Sequence, residues 1–407
     1  MTEAQAAVFI RHGVRIMLVS SPGESSATGH RWGVPLVDID DETTISEHVL
    51  DWLESIGGEP GTFIRSGQPI EVTHRHTSLV RTPILVEVVS TDLDVAAFGT
   101  VEWVQPPAIL SRETTPSLWR LYESVAPTVR SISADTTHGS TYLSLRALEV
   151  LRDRAAGLTS HGETGDDELA SLAKELRSAR PDMVALKVRT ALATREGTAA
   201  ETVLERSMSL ADEAEHADRH AARTVANEVG QVANVFVFSR SETVMHALST
   251  IDPDRIITTV AHPGEEGIEV ATELADRFDV ILGPDAAFAE LLSEAEVVLL
   301  GADGVDAKGR VTNKLGSFTL ATVANAMSIP VYVVTATAKL CDDTPGPVER
   351  VHPGSIYDGR ESIEVFTPRF DRTPAHLISG YCTERGVLGI GEVRRIAETH
   401  RALVSSS

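Results

Sequence analysis

The sequence predicts an α/β protein in three parts: an α+β domain over residues 1–112, a helical domain over 113–230, and a parallel sheet over 231–407. Three observations carry this reading. Residues 5–107 alternate short β-type runs with turns. Residues 115–230 are rich in Ala, Leu, Glu and Arg and have few breakers. From residue 233 onward, near-continuous apolar runs of strand length alternate with helical stretches, as in a parallel sheet covered on both faces.

In the first part, runs at 6–10 and 15–19 flank His12-Gly13 and read as a hairpin. Residues 43–56 have helical periodicity, with Ile45, Val49, Trp52, Leu53 and Ile56 on one side and Gly57-Gly58 as the stop. Further strands are expected at 84–89 and 101–104, and Pro106-Pro107 closes the segment. The helical part breaks at a polar loop, 157–167, and at Pro181, and a long helix is expected over 198–228. In the last part, a Rossmann-like sheet has strands expected at 234–238, 255–260, 279–282, 297–300 and 330–335, with helices at 243–249, 267–277, 286–295 and 319–327.

The 407 residues are 42% hydrophobic and 23% charged, a globular balance with ample core. Acidic residues outnumber basic ones 59 to 36, for a formal charge of −23. Only five of the basic residues are lysines: 174, 187, 308, 314 and 339. Such a surface repels phosphate backbones, so direct DNA binding is not expected. Acid excess with scarce lysine suits a salt-rich, halophilic cytosol. No apolar stretch approaches the ~20 residues that span a bilayer, and the first residues lack a basic leader, so a cytoplasmic protein is expected. Cys341 and Cys382 read as two buried small residues.

In a sheet of this kind, ligands bind outside the carboxyl ends of the strands. After the first four strands come Ser239-Arg240-Ser241, His262 to Gly267, Gly283-Pro284-Asp285 and Gly301-Ala302-Asp303, and Asn313-Lys314 follow in the next crossover. Ser241 can cap its helix and leave backbone N–H groups for an anion. Lys314 offers a point charge suited to phosphate. Asp303 suits proton transfer if burial raises its pKa. Ordinary capping and turn duties would use the same residue types. His74 and His76, flanking Arg75, would share one strand face with no third ligand. Gly386, Gly389 and Gly391 form only a partial dinucleotide fingerprint.

The stretch Gly301-Ala302-Asp303-Gly304 with Asn313-Lys314-Leu315-Gly316-Ser317 resembles the signature of the translation initiation factor 2B alpha/beta/delta-subunit family. That family also contains the methylthioribose-1-phosphate and ribose-1,5-bisphosphate isomerases. Ser239-Arg240-Ser241, Pro263 with Glu266-Gly267, Phe370-Asp371 with Thr373-Pro374, and Thr383-Glu384-Arg385-Gly386 support it, over residues 115–400. The resemblance implies an isomerase site built on a cysteine after the first strand and on the aspartate of Gly-Ala-Asp. Here Asp303 is present, but Ser239 stands at the cysteine position, and a hydroxyl is a far weaker acid than a thiol. His262 replaces an arginine and loses a bidentate phosphate clamp. Pro284-Asp285-Ala286 replaces Asp-Ser-Ala, and residues 133–139 replace an arginine-glycine-rich loop.

Arg31-Trp32-Gly33-Val34-Pro35, the helix at 43–56 and Glu102-Trp103-Val104-Gln105-Pro106 are similar to the Nudix hydrolases in kind and order. The Nudix box keeps Glu42 and Glu54, but Leu36, Leu50, Asp51 and Ser55 replace its other key positions. Working members hold magnesium on such helix carboxylates. Glu47, Asp51 and Glu54, spaced i, i+4, i+7, still share one helix face, as would any acidic solvated face.

The expectation is a regulatory protein similar to initiation factor 2B subunits, carrying a degenerate Nudix-like domain. It would hold a phosphorylated sugar or nucleotide through Ser239, Arg240, Ser241, Asp303, Asn313 and Lys314, and the resemblance implies a homodimer and a translation initiation GTPase as possible partner. The alternative is an enzyme: an aldose–ketose isomerase using Asp303, or a magnesium-dependent Nudix pyrophosphohydrolase using Asp51 and Glu54.

Overall fold

A computed structural model describes residues 4–26, 29–39, 44–57, 61–74, 77–342, 350–359 and 362–406. Glu42, Gly58, Arg75 and His76 lie outside them, as does the side chain of His74. The chain forms two compact units. One comprises Met1–Asp135, Leu145–Leu172 and Glu196–Asp212, and the other Thr136–Ser144, Ala173–Arg195 and Glu213–Ser407. The stretch expected to be helical is helical, and its residues are divided between the units.

The N-terminal unit is built on a mixed eight-stranded sheet. Strands Ala4–His12 and Arg15–Ser26 form the expected hairpin, with Gly13 at φ 60° in its two-residue turn. Strand Ala4–His12 also pairs in parallel with Thr77–Glu87, a strand that begins seven residues before the expected 84. Helix Ile45–Ser55 starts at Thr44, whose hydroxyl accepts from the Glu47 N–H, and it buries Val49 and Leu53. Within this unit Arg152 is fully buried. Its guanidinium donates to Asp153 at 2.7 Å, the Val14 carbonyl at 3.2 Å, Gln105 at 3.2 Å and the Tyr122 hydroxyl at 3.3 Å. A buried cation so fully satisfied is held in one geometry.

The helical stretch runs from Leu118 to Val229. Helix Ser140–Ser160 continues three residues past the expected break at 157, so the loop before Asp166–Ala179 is shorter than predicted. Pro181 separates the latter from Val184–Thr194, and the long helix is Ala200–Val229.

The C-terminal sheet has seven strands. Their order is Asp279–Gly283, Arg255–Thr259, Asn234–Val237, Val297–Leu300, Val331–Val334, Gly380–Thr383 and Gly386–Leu388. All neighbours are parallel except the last pair. Alternate side chains feed two cores, which is why the strands read as unbroken apolar runs. Phe236, Ile257, Val298, Leu300, Val331 and Val333 pack with helix Ser317–Ala326 and with Val393 and Ile396 of the last helix. Val235, Val237, Ile256, Val297, Leu299 and Cys382 pack with helices Glu242–Ile251 and Glu266–Leu274. Both cysteines are buried and free, and burial pushes the Cys382 thiol up to about 12. A small antiparallel sheet of Gly304–Val305, Val311–Lys314 and Phe370–Thr373 lies in the same unit. Among the described residues, no helix is long and apolar enough to cross a membrane.

Candidate functional site

Strand Asn234–Val237 is first in the chain but central in the sheet. The chain proceeds to Arg255–Thr259 on one side and returns to Val297–Leu300 on the other. The crevice at such a reversal is where doubly wound sheets bind ligands. The two loops that leave it are in contact: a Cβ on Gly301 would lie 2.6 Å from the Ser241 Oγ. Ser241 caps helix Glu242–Ile251, accepting from the Val244 N–H at 3.5 Å.

Three non-glycine residues in the loops after Asn234–Val237 and Arg255–Thr259 have left-handed backbones: Ser239 at φ 59°, Ala261 at 61° and Glu265 at 63°. Each such conformation costs roughly 1–3 kcal/mol and concentrates where a fold holds functional groups in place. The restraint on Ala261 is visible. Asp285, past the end of the neighbouring strand, accepts from the Ala261 N–H at 2.9 Å and the His262 N–H at 2.8 Å. The Pro284-Asp285 departure from the family pattern therefore supplies a clasp between two loops.

Several residues expected to face a ligand are engaged with other side chains. Lys314 is buried; its ammonium meets Glu266 at 2.5 Å and donates to the Pro263 carbonyl. A Cβ on Gly264 would sit 2.9 Å from both the Lys314 and Glu266 side chains, so this loop wraps the pair. Arg240 pairs with Glu242 at 2.9 Å and also with Glu273. Asn313 donates to the Ser317 hydroxyl at 3.1 Å, which in turn donates to the Lys314 carbonyl at 2.7 Å. The acid excess explains this outcome: each of these cations finds a carboxylate of its own chain. Asp303 is half-buried, and its N–H donates to the Thr312 carbonyl at 2.9 Å, two residues before Lys314. The structure thus brings Ser241 together with Gly301, and Lys314 together with residues 263–266.

Asp371 braces the turn that follows Lys314. Its carboxylate accepts from the Gly316 N–H at 2.7 Å and the Phe318 N–H at 3.1 Å, and burial raises the carboxyl to about 6 against those two bonds.

Sequence reasoning passed over the end of the fifth strand. Strand Val331–Val334 leads into a short turn, Thr337–Lys339, pinned by Glu384, which accepts from the Thr337 N–H at 3.0 Å and from the Thr337 hydroxyl. Leu340 bridges in parallel to Val305, and the Cys341 N–H donates to the Val305 carbonyl at 2.9 Å. This register sets Lys339 beside Gly304, one residue from Asp303. The signal was available, because Lys339 follows a strand directly and is one of only five lysines.

Glu47, Asp51 and Glu54 are exposed, and Glu47 accepts from the Thr44 hydroxyl at 2.6 Å. Among the described residues, no three or more His, Cys, Asp or Glu side chains gather closely enough to hold a metal.

A model of the initiation factor 2 subunit family matches residues 136–389, which include every residue of this rim. The chain belongs to that family. A methylthioribose-1-phosphate isomerase of Acaryochloris marina is 32% identical over 162 residues, 36% of this chain and 46% of the relative. One of Nitratidesulfovibrio vulgaris is 36% identical over 114 residues, 26% of this chain and 33% of the relative. The chain spans between a third and a half of the length of these curated relatives. Among solved structures, the translation initiation factor eIF-2B of Pyrococcus horikoshii superposes with a TM-score of 0.54 at 23% identity, over 64% of this chain and 94% of its own. The 5-methylthioribose 1-phosphate isomerase of the same organism gives 0.53 at 19%, over 76% and 90%. At these identities the likeness is one of fold.

Proposed function

We propose that the chain is an aldose–ketose isomerase acting on a phosphorylated pentose, with its site at the reversal between strands Asn234–Val237 and Val297–Leu300. The comparisons favour this alternative over a purely regulatory factor, because the matched relatives carry the isomerase name. The observation that carries the reading is the approach of the two loops at the reversal, Gly301 against Ser241, with Asp303 three residues past the end of a central strand. Aldose–ketose exchange moves one proton between adjacent carbons and another between their oxygens. A positioned carboxylate suits the first transfer. The Ser239 hydroxyl hydrogen-bonds the sugar oxygens, and the ester phosphate accepts from first-turn N–H groups of helix Glu242–Ile251.

The serine favours a second reading, a regulator that binds the sugar phosphate without turning it over. Incubation at high salt with methylthioribose-1-phosphate and ribose-1,5-bisphosphate separates the two. Turnover that Asp303→Asn abolishes supports the isomerase. Saturable thermal stabilisation without turnover supports the regulator. If neither compound is turned over or shifts melting, both readings fail. A homodimer and a cytoplasmic setting remain part of this proposal. In the N-terminal unit we read a Nudix-like fold that no longer hydrolyses pyrophosphate, because Leu50 and Ser55 stand where its box carries an arginine and a glutamate.

A further inference from the structure

We propose that Arg189 is a positioning residue for Asp303: bonded to Ser144 it braces the helix that abuts Gly304, and turned to Asp218 it releases that brace. The role rests on the reading of Asp303 as the proton-transfer group. Helix Val184–Thr194 meets the rim at its first residue, since a Cβ on Gly304, one residue past Asp303, would lie 3.1 Å from the Val184 side chain. Val184 and Val188 also pack with Cys341 and with Ala338 of the turn Thr337–Lys339. Arg189 comes five residues after Val184, about 7.5 Å along the helix axis. It is 4% exposed. Its Nη1 donates to the Ser144 hydroxyl, and to the Thr141 carbonyl at 3.5 Å, in the first turns of helix Ser140–Ser160. Ser144 is fully buried and donates in turn to the Thr141 carbonyl at 2.7 Å. These bonds fasten the helix that abuts Gly304 to the start of Ser140–Ser160.

A carboxylate is left without this cation. Asp218, on helix Ala200–Val229, is 6% exposed, and among the described residues its buried Oδ1 has no hydrogen-bond partner. Its charge still acts on the guanidinium: burial draws Arg189 below its ordinary pKa, and Asp218 and Glu384 oppose that shift. Glu384 is already bonded to Thr337, whereas among the described residues Arg189 and Asp218 form no ion pair. An unpartnered carboxylate in the interior is costly, and a carboxylate holds a guanidinium more strongly than a hydroxyl does. Against it stand two acceptors at once, the Ser144 hydroxyl and the Thr141 carbonyl. Two berths therefore compete for one guanidinium. Close packing makes the exchange between them discrete, because a filled interior offers few intermediate positions. An arginine that only fills space between helices is the structural alternative, and it would make both polar partners equally dispensable.

Two variants of the full chain test the role, by hydrogen exchange in the free protein and by steady-state kinetics with methylthioribose-1-phosphate. Exchange is read in peptides covering 139–146 and 301–306, where the Leu143 N–H donates to the Gly139 carbonyl and the Asp303 N–H to the Thr312 carbonyl. Ser144→Ala removes the hydroxyl berth. It is expected to speed exchange in both peptides about tenfold and to lower kcat about tenfold, with KM within about twofold of wild type. Asp218→Asn removes the competing charge. It is expected to slow exchange in both peptides about threefold, with kcat no lower than wild type.

Exchange that moves the same way in both variants, or in neither, overturns the proposal. So does a kcat equal in wild type and Ser144→Ala. Should Ser144→Ala not fold, the slowed exchange of Asp218→Asn stands as the test by itself, and its absence overturns the two berths. The two readings separate cleanly. Opposed exchange responses in a protein that turns over neither methylthioribose-1-phosphate nor ribose-1,5-bisphosphate support the brace and defeat the isomerase. Turnover in wild type, with exchange unmoved in both variants, does the reverse.

Discussion

Helix Ile45–Ser55 and the carboxyl rim of the C-terminal sheet both display acidic and polar side chains at regular positions, but they differ in how those groups are held. On the helix, Glu47, Asp51 and Glu54 are exposed along one face, and among the described residues no metal-holding group of side chains gathers around them. On the rim, residues from distant parts of the chain clasp each other: Asp285 grips Ala261 and His262, Lys314 meets Glu266, and Glu384 pins Thr337. Spacing along one helix puts groups on a face. Convergence of loops from several strands fixes them relative to one another, and reaction chemistry depends on that fixity.

Substitutions can break or sharpen this contrast. The largest effect is expected from Asp303→Asn, which should lower isomerase turnover about 10²–10⁴-fold while leaving the far-UV circular dichroism unchanged. A normal rate in this variant would remove the rim's claim to chemistry. Next is Glu266→Gln, which leaves the buried Lys314 ammonium without its carboxylate. Because Glu266 keeps some exposure, about 3 kcal/mol of lost stability is expected in urea unfolding, at the lower end for a broken buried pair.

Asp371 gives a smaller, pH-dependent effect. Its carboxyl is raised to about 6 in the fold, against 3.8 for the free group. The folded state therefore binds the proton more tightly than the unfolded chain does. The stabilisation this contributes is complete below about pH 4 and is lost as pH rises through 6. Thermal melts at pH 7.5 and pH 5 should show wild type gaining on Asp371→Asn by a few degrees as pH falls. The smallest effect belongs to the helix: Glu54→Gln should change stability by less than about 0.5 kcal/mol, with no magnesium-dependent hydrolysis of nucleoside diphosphates to lose.

The sheet was legible where strands are apolar on both faces. All five expected strands are present, because runs such as Val297–Leu300 are buried throughout. Gly380–Thr383 was missed although all four of its residues are buried, since Gly-Tyr-Cys-Thr lacks the branched aliphatics that mark a central strand. Val311–Lys314 was missed as a strand for the same reason: Thr-Asn-Lys reads as loop until its pairing with Phe370–Thr373 is seen. At the site, the position of Asp303 followed from the carboxyl-end rule. The pairing of Lys314 and Arg240 did not, because a sequence lists charges without telling which carboxylate meets which cation. Lys339 escaped because the same rule was not carried past the fifth strand.

The clasp on Ala261 and His262 has a dynamic consequence. Asp285 follows Asp279–Gly283, an edge strand of the sheet among the described residues, with Leu282 43% exposed. Edge strands fray at low free energy while central ones wait for global unfolding. The grip on the loop at Ala261 and His262 is thus anchored at an edge of the sheet, where local opening costs less than in the central strands.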